Sequence, residues 1–288
     1  MLLSYNAFCE KMRAAIETAR VLCYNSKRQI TEDGETMHAK SDPIAVFDSG
    51  VGGISVLREL VRLMPEENYL YFGDSANAPY GNRSTEQIRQ LTLDAADDLM
   101  NRGAKALVIA CNTATAAAIT ALRSRYPDAI IVGIEPALKL AADRFHGGRI
   151  AVMATPVTLR EEKFHHQLER FSQEQVATIP VAGLVERIEA GQADTPETEA
   201  LLRPILEPFR GKLDALVLGC THYPFAAKTI QSILGPQTVL LDGGEGTARE
   251  TRRRLELEGL LNDGPGCIQI ENSLADPKIL ELSMQLLK

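Results

Sequence analysis

Two cysteines carry the strongest chemical signal in the chain, because each closes the same phrase. Lys105-Ala-Leu-Val-Ile-Ala-Cys111-Asn-Thr113 returns as Asp214-Ala-Leu-Val-Leu-Gly-Cys220-Thr-His222. In both, a short apolar run ends on a thiol and then turns polar. A free thiol has a pKa near ~8.5, close enough to neutrality to act as base or acid after modest tuning. Two thiols facing each other would suit proton transfer to and from carbon on the two faces of a stereocentre, one deprotonated while its partner is protonated. A lone cysteine is more often a small buried hydrophobe. Two at matched positions argue for function.

The neighbours of the thiols sharpen this reading. Cys111-Asn112-Thr113 precedes the Ala-rich stretch Ala114–Leu122, which places the thiol at a helix N-terminus. Unpaired N–H groups and the helix dipole there should lower its pKa. After Cys220, Pro224 suits a first helical turn and Thr221 a cap. His222, two residues from the thiol, is placed to polarise it or to serve the substrate. Asp48-Ser49-Gly50-Val51-Gly52-Gly53 reads as a strand end and a glycine-rich turn whose N–H groups can face an anion. It lacks the spacing of a dinucleotide fingerprint and the Lys of a phosphate loop. Asp48 adds a carboxylate that could hold an ammonium group or orient a thiol. Pro79-Tyr80-Gly81, by itself, is a turn of ordinary composition.

Other polar clusters read as structural. His165-His166 points to different faces of a polar helix and reads as solvated. Cys9, Cys23 and Cys267 read as packing residues, and Arg252–Arg254 as a solvated helix face balanced by Glu250, Glu256 and Glu258. No Cys/His spacing makes a zinc site, and no motif supplies a Schiff-base lysine. The expectation is therefore no metal and no cofactor, with a carbanion stabilised by preorganised dipoles and hydrogen bonds.

The elements that must position these groups follow from apolar patterning. Short apolar runs of strand length occur at Ile44–Phe47, Tyr69–Phe72, Ala106–Ala110, Ile130–Gly133, Ile150–Met153, Ala177–Pro180, Ala215–Leu218 and Val239–Leu241. Helical stretches lie between them, among them Ile54–Leu63, Thr85–Arg102, Thr115–Arg125 and Thr247 to about Glu258. Apolar strands alternating with helices predict parallel sheets covered on both faces, with ligands beyond the carboxyl ends of the strands. Asp48, Cys111, Thr155 and Cys220 all fall at such ends. Ile44-Ala-Val-Phe-Asp48-Ser49 is also echoed by Ile150-Ala-Val-Met-Ala154-Thr155, 106 residues on, much as Cys220 follows Cys111 by 109. The fold class expected is α/β: two similar parallel-sheet domains related by a pseudo-two-fold duplication, with the active site in the cleft between them.

Residues 1–43 have no counterpart in the duplication and read as an extension, with a helix at Ala7–Cys23 and a polar linker from Ser26 to Asp42. Met37 lies just before the first strand and is a candidate start, so residues 1–36 are expected to be dispensable. The first domain is assigned to 44–134, with 244–288 returning to it through a strand at Cys267–Ile270 and a helix at Pro277–Leu287. The second is assigned to 135–243. At 288 residues the chain is about twice a typical domain of ~150. Its 45% hydrophobic and 24% charged residues are those of a soluble globular protein. A net charge of −7 gives no electrostatic reason to expect nucleic acid or an anionic membrane. Nothing approaches the ~20 apolar residues of a membrane span, the N-terminus has no signal-peptide core, and the five cysteines do not form a secreted disulfide framework. A cytoplasmic location is expected.

Taken in order, Phe47-Asp-Ser-Gly-Val-Gly-Gly53, Gly73-Asp-Ser, Ala78-Pro-Tyr-Gly81, Ala110-Cys-Asn-Thr-Ala114 and Leu218-Gly-Cys-Thr-His-Tyr-Pro224 resemble the cofactor-independent glutamate racemases, from about Ile44 to Asp242. The resemblance implies Cys111 and Cys220 as the acid/base pair. It implies Asp48-Ser49, Tyr80-Gly81, Asn112-Thr113 and Thr221-His222 as substrate-binding, with Asp48 and His222 assisting the thiols. It also implies Glu186, within Gly183-Leu-Val-Glu186, as an additional acidic catalytic residue. Glutamate is the implied substrate and D-glutamate for peptidoglycan the implied product. A homodimer and, as in some enterobacterial members, a peptidoglycan-precursor activator are the partners it admits. Thr115 and Phe225 depart from the Ser and Leu usual after these cores. Aspartate and hydantoin racemases of the same superfamily differ at the first loop and have Cys-Thr-Glu where this chain has Cys220-Thr-His222. Two alternatives remain open: a thiol hydrolase using Cys220 and His222, with Cys111 dispensable, and a non-catalytic amino-acid-binding protein that tolerates Ser at both cysteines.

Overall fold

The computed structural model describes residues 29–30, 36–134, 137–156, 158–160 and 175–288. The helix expected at Ala7–Cys23, with Cys9 and Cys23, and the pair His165-His166 lie outside the described residues. Within the expected linker, β1 (Gln29–Ile30) and β2 (Thr36–Met37) pair antiparallel, so the segment is not wholly irregular.

From Ile44 the chain alternates strand and helix. The first sheet takes β3 (Ile44–Asp48), β4 (Tyr69–Gly73), β5 (Ala106–Ile109) and β6 (Ile130–Gly133). Its helices are α1 (Ile54–Leu63), α2 (Thr85–Asn101) and α3 (Asn112–Arg125). After α4 (Leu138–Arg144), the second sheet takes β7 (Arg149–Ala154), β8 (Gln175–Pro180), β9 (Ala215–Leu218) and β10 (Val239–Leu241). With it come α5 (Leu184–Glu189), α6 (Pro196–Leu206) and α7 (Ala227–Leu234). The chain ends with α8 (Gly244–Leu257), β11 (Ile268–Asn272) and α9 (Pro277–Leu287).

All pairings in both sheets are parallel, in the orders β11-β4-β3-β5-β6 and β10-β9-β7-β8. The duplication is visible in the topology. Order β4-β3-β5-β6 repeats as β8-β7-β9-β10, and register repeats with it: Ile44 sits opposite Ala106 as Ile150 sits opposite Ala215. Bonds at the strand ends repeat as well. Ala110 N–H donates to the Phe47 carbonyl and Gly219 N–H to that of Met153, each at 2.8 Å. β11 has no counterpart and extends the first sheet alongside β4.

Because the inner strands β5, β7 and β9 are apolar and buried almost throughout, each sheet is covered on both faces. Ile44 and Val46 pack with α1 and α8, whereas Ala45 and Phe47 pack with α2 and α3. Ala151, Met153, Leu216 and Leu218 pack with α5, α6 and α7, and Ile150, Val152 and Val217 with α4. At the amino ends of the first sheet, Lys105 Nζ meets Glu67 Oε2 (2.6 Å), both side chains buried. The ammonium also donates to the carbonyls of Leu260 (2.8 Å) and Lys40, which closes that end and leaves the carboxyl ends for the site. Cys267, expected to pack, is exposed just before β11. Among the described residues no helix is long and apolar enough to cross a membrane.

Candidate active site

The carboxyl ends of both sheets open on one cavity of about 530 Å³. Of the residues assigned to the site by sequence, all but Asp48 line it: Cys111, Cys220, His222, Glu186, Ser49, Tyr80, Gly81, Asn112, Thr113 and Thr221. The glycine turn at 50–53 does not, and its Gly50 and Val51 N–H groups face Asp48 and Glu189. Asp48 lies beneath, with no solvent exposure.

Cys111 ends the apolar run of β5 and is the N-cap of α3, which begins at Asn112 rather than Thr115. Ala114 N–H donates to its sulfur (3.4 Å), and Ser49 Oγ stands 3.4 Å away on the other side. Burial nevertheless overrides the helix N-terminus. It pushes the thiol up to about 12, with the neighbouring Asp48 charge acting the same way and the Ser49 and Ala114 hydrogen bonds opposing. The expected lowering is thus reversed, because desolvation penalises the thiolate more than two hydrogen bonds favour it. Charge at Cys220 adds to this penalty.

Cys220 ends β9 by the same logic, but its surroundings differ. Pro224 opens a 3₁₀ turn over Tyr223–Ala226 and the α-helix begins only at Ala227. Thr221 is not a cap: its hydroxyl donates to Asp48 Oδ2 (3.2 Å), across to the first sheet. The thiol instead meets a side chain, His222 Nδ1 at 3.8 Å. The other imidazole nitrogen, Nε2, is 2.7 Å from Glu189 Oε1, which also accepts from Val51 N–H (3.1 Å). Burial, the largest single influence, depresses His222; Cys220 and Glu189 together outweigh it and hold the imidazole well above its ordinary pKa. Burial works likewise to raise Glu189, and the bond from His222 reverses it, leaving the carboxyl below its usual range.

The carboxylate that engages His222 is Glu189, a residue not assigned a role from sequence; Glu186 lies one helical turn before it. Both line the cavity from α5, whose start is fixed by Gly183 at φ +82°, a conformation that favours glycine. The signal for Glu189 was present, one helical turn along the same face.

Asp48 Oδ1 accepts from Gly50 N–H (2.9 Å), and burial raises its pKa against the pull of His222 and that N–H. The glycine turn is required by close approach. A Cβ on Gly52 would overlap His222 Nδ1 and Thr221 Oγ1. Ser55 Oγ reaches the Thr221 carbonyl (2.8 Å) from α1, so the first loop and the second thiol segment are seated on each other. Tyr80 donates to Asp74 Oδ2 (2.7 Å) and is fixed at the cavity wall. Asn112 Oδ1 is buried and has no hydrogen-bond partner among the described residues, an acceptor left for something that enters. Thr155 and Thr158, not assigned a role from sequence, line the cavity with their hydroxyl oxygens 2.9 Å apart. Among the described residues no group of His, Cys, Asp and Glu is arranged to hold a metal ion. The assembly offers two thiols, a buried acceptor and a set of hydroxyls around one small-molecule space.

The Asp/Glu/Hydantoin racemase family profile matches residues 44–251. A glutamate racemase from Clostridium botulinum is 47% identical over 88% of this chain and 99% of its own length. Among solved structures, a glutamate racemase from Bacillus anthracis superposes with a TM-score of 0.78 at 30% identity, covering 86% of this chain and 94% of that one. Escherichia coli glutamate racemase, in complex with L-glutamate and the activator UDP-MurNAc-Ala, gives 0.72 at 30% identity, covering 85% and 92%.

Proposed function

The chain belongs to the Asp/Glu/Hydantoin racemase family, and from that premise we propose that it interconverts L- and D-glutamate with Cys111 and Cys220 as the two acid/base groups. The observation that carries the reading is that two thiols from equivalent strand ends of a duplicated fold line one cavity. One thiolate takes the proton from Cα, the pair of electrons left on carbon is delocalised into the adjacent carboxylate, and the opposite thiol returns a proton to the other face. The base ends as a thiol and the acid as a thiolate, so a turnover inverts their states.

Supporting groups follow from their contacts. The unpartnered Asn112 Oδ1 suits the substrate ammonium. The hydroxyls of Ser49, Thr113, Thr155, Thr158 and Thr221 and nearby loop amides suit its carboxylates. Glu189 and His222 serve Cys220, and Asp48 and Ser49 serve Cys111. An arriving ammonium favours thiolate formation, which offsets the burial that raises the Cys111 pKa. Circular dichroism should show L-glutamate losing ellipticity with purified protein. Decay of L-aspartate in its place would refute the specificity. Activity should withstand chelator and carbonyl reagents and be lost to thiol alkylation.

The role of the product, D-glutamate for peptidoglycan made in the cytoplasm, is part of the same proposal and is tested by rescue of a D-glutamate-requiring strain. So are a second copy of the chain and a peptidoglycan-precursor activator as partners, read by sedimentation and by the rate with UDP-MurNAc-Ala added.

A further inference from the structure

Among the described residues, the cavity is lined by a single Lys or Arg, Arg160, and by two carboxylates, Glu186 and Glu189. The protein itself carries a net charge of −7. An anionic substrate entering such a cavity meets repulsion unless a cation is placed to oppose it. Glu189 is engaged by His222 at 2.7 Å, whereas Arg160 makes no ion pair or hydrogen bond with any described residue.

Hydrogen bonds within the preceding turn set its place. β7 ends at Ala154, and the next turn is closed by Leu159 N–H on the Thr155 carbonyl (3.1 Å) and by Thr158 N–H on Thr155 Oγ1 (3.3 Å). Arg160 ends the 3₁₀ turn that begins at Thr158, two residues from the hydroxyl pair. It is exposed while still lining the cavity, so its charge lies where the cavity meets solvent. An exposed arginine is ordinarily a solvated surface charge. This one differs in bordering the space the substrate must enter.

We propose that Arg160 is a specificity-determining residue, whose guanidinium draws in the side-chain carboxylate of an acidic amino acid and so favours it over an uncharged one of the same shape. The inference rests on the proposed racemisation of glutamate. It assigns Arg160 no part in proton transfer: it acts on capture and not on the chemical step. A partly solvated cation acts over several ångströms, so its effect is modest and screened by salt, with a Debye length of about 10 Å at 0.1 M.

Arg160→Gln and Arg160→Lys would be compared with the unaltered protein at low and high salt. For Arg160→Gln, KM for both glutamate enantiomers should rise about tenfold with kcat within about twofold, and the salt dependence of kcat/KM should flatten. L-glutamine, used as a competing ligand, should bind both forms equally, and Arg160→Lys should restore KM to within about twofold. An unchanged KM and salt slope would overturn the proposal. So would equal weakening of glutamate and glutamine, which would mark a structural role. If the unaltered protein failed to racemise glutamate, the proposed function would fall; calorimetric binding of glutamate and glutamine to the same variants would still decide the role of Arg160.

Discussion

The Cys111 thiol shows how two influences of opposite sign are settled by burial. As N-cap of α3 it accepts an N–H bond, which favours the thiolate, yet its enclosure pushes it up to about 12. The sequence announces the cap through the Ala-rich run that follows, whereas the enclosure depends on residues brought from far along the chain. The thiolate fraction of so raised a thiol is small at neutral pH and grows about tenfold per pH unit until the pKa is approached. Alkylation of Cys111, followed on its own peptide in a Cys220→Ser background, should keep accelerating past pH 10. A plateau near pH 8 would mean that the helix N-terminus wins. Glu189 presents the complementary case. Glu186 and Glu189 are indistinguishable by type, and only the placement of α5 decides which one meets His222. Glu189→Gln preserves shape and removes one of the two partners, Cys220 being the other, that sustain the imidazolium against burial, so the His222 pKa should fall. Racemisation should fall at least about tenfold, on the scale of positioned acid-base groups. An imidazole titration unchanged by NMR would contradict this role.

At the scale of elements, apolar runs located the strands well. β6, β9 and β10 fall within the expected bounds, because parallel strands buried on both faces admit little else. What followed Cys220 was less legible: Pro224 gives a 3₁₀ turn before α7, and Thr221 spends its hydroxyl on Asp48 across the cleft. Such a contact between distant segments has no local pattern. The glycine turn, weak as a motif, gains its meaning from the same contact. Gly52→Ala should displace His222 and Thr221 and lower kcat by at least about tenfold, with little loss of secondary structure by far-ultraviolet circular dichroism. Full activity in that variant would show that the two segments are not seated on each other in the working enzyme.

For the whole molecule, the duplication read from two repeated phrases is realised as two sheets that share a four-strand order, each delivering a cysteine to one cavity. The same symmetry predicts a division of labour, one thiol to each enantiomer, and the resemblance to glutamate racemases implies Cys111 for D-glutamate and Cys220 for L-glutamate. Serine at either position should abolish racemisation in both directions, because every turnover needs a base and an acid. A glutamate analogue with a leaving group on Cβ needs only the base that abstracts its Cα proton. The deciding measurement is elimination from the two enantiomers of such an analogue by the single variants. Cys111→Ser should still eliminate from the L-analogue alone, and Cys220→Ser from the D-analogue alone. One cysteine sufficing for both enantiomers would contradict the two-base account.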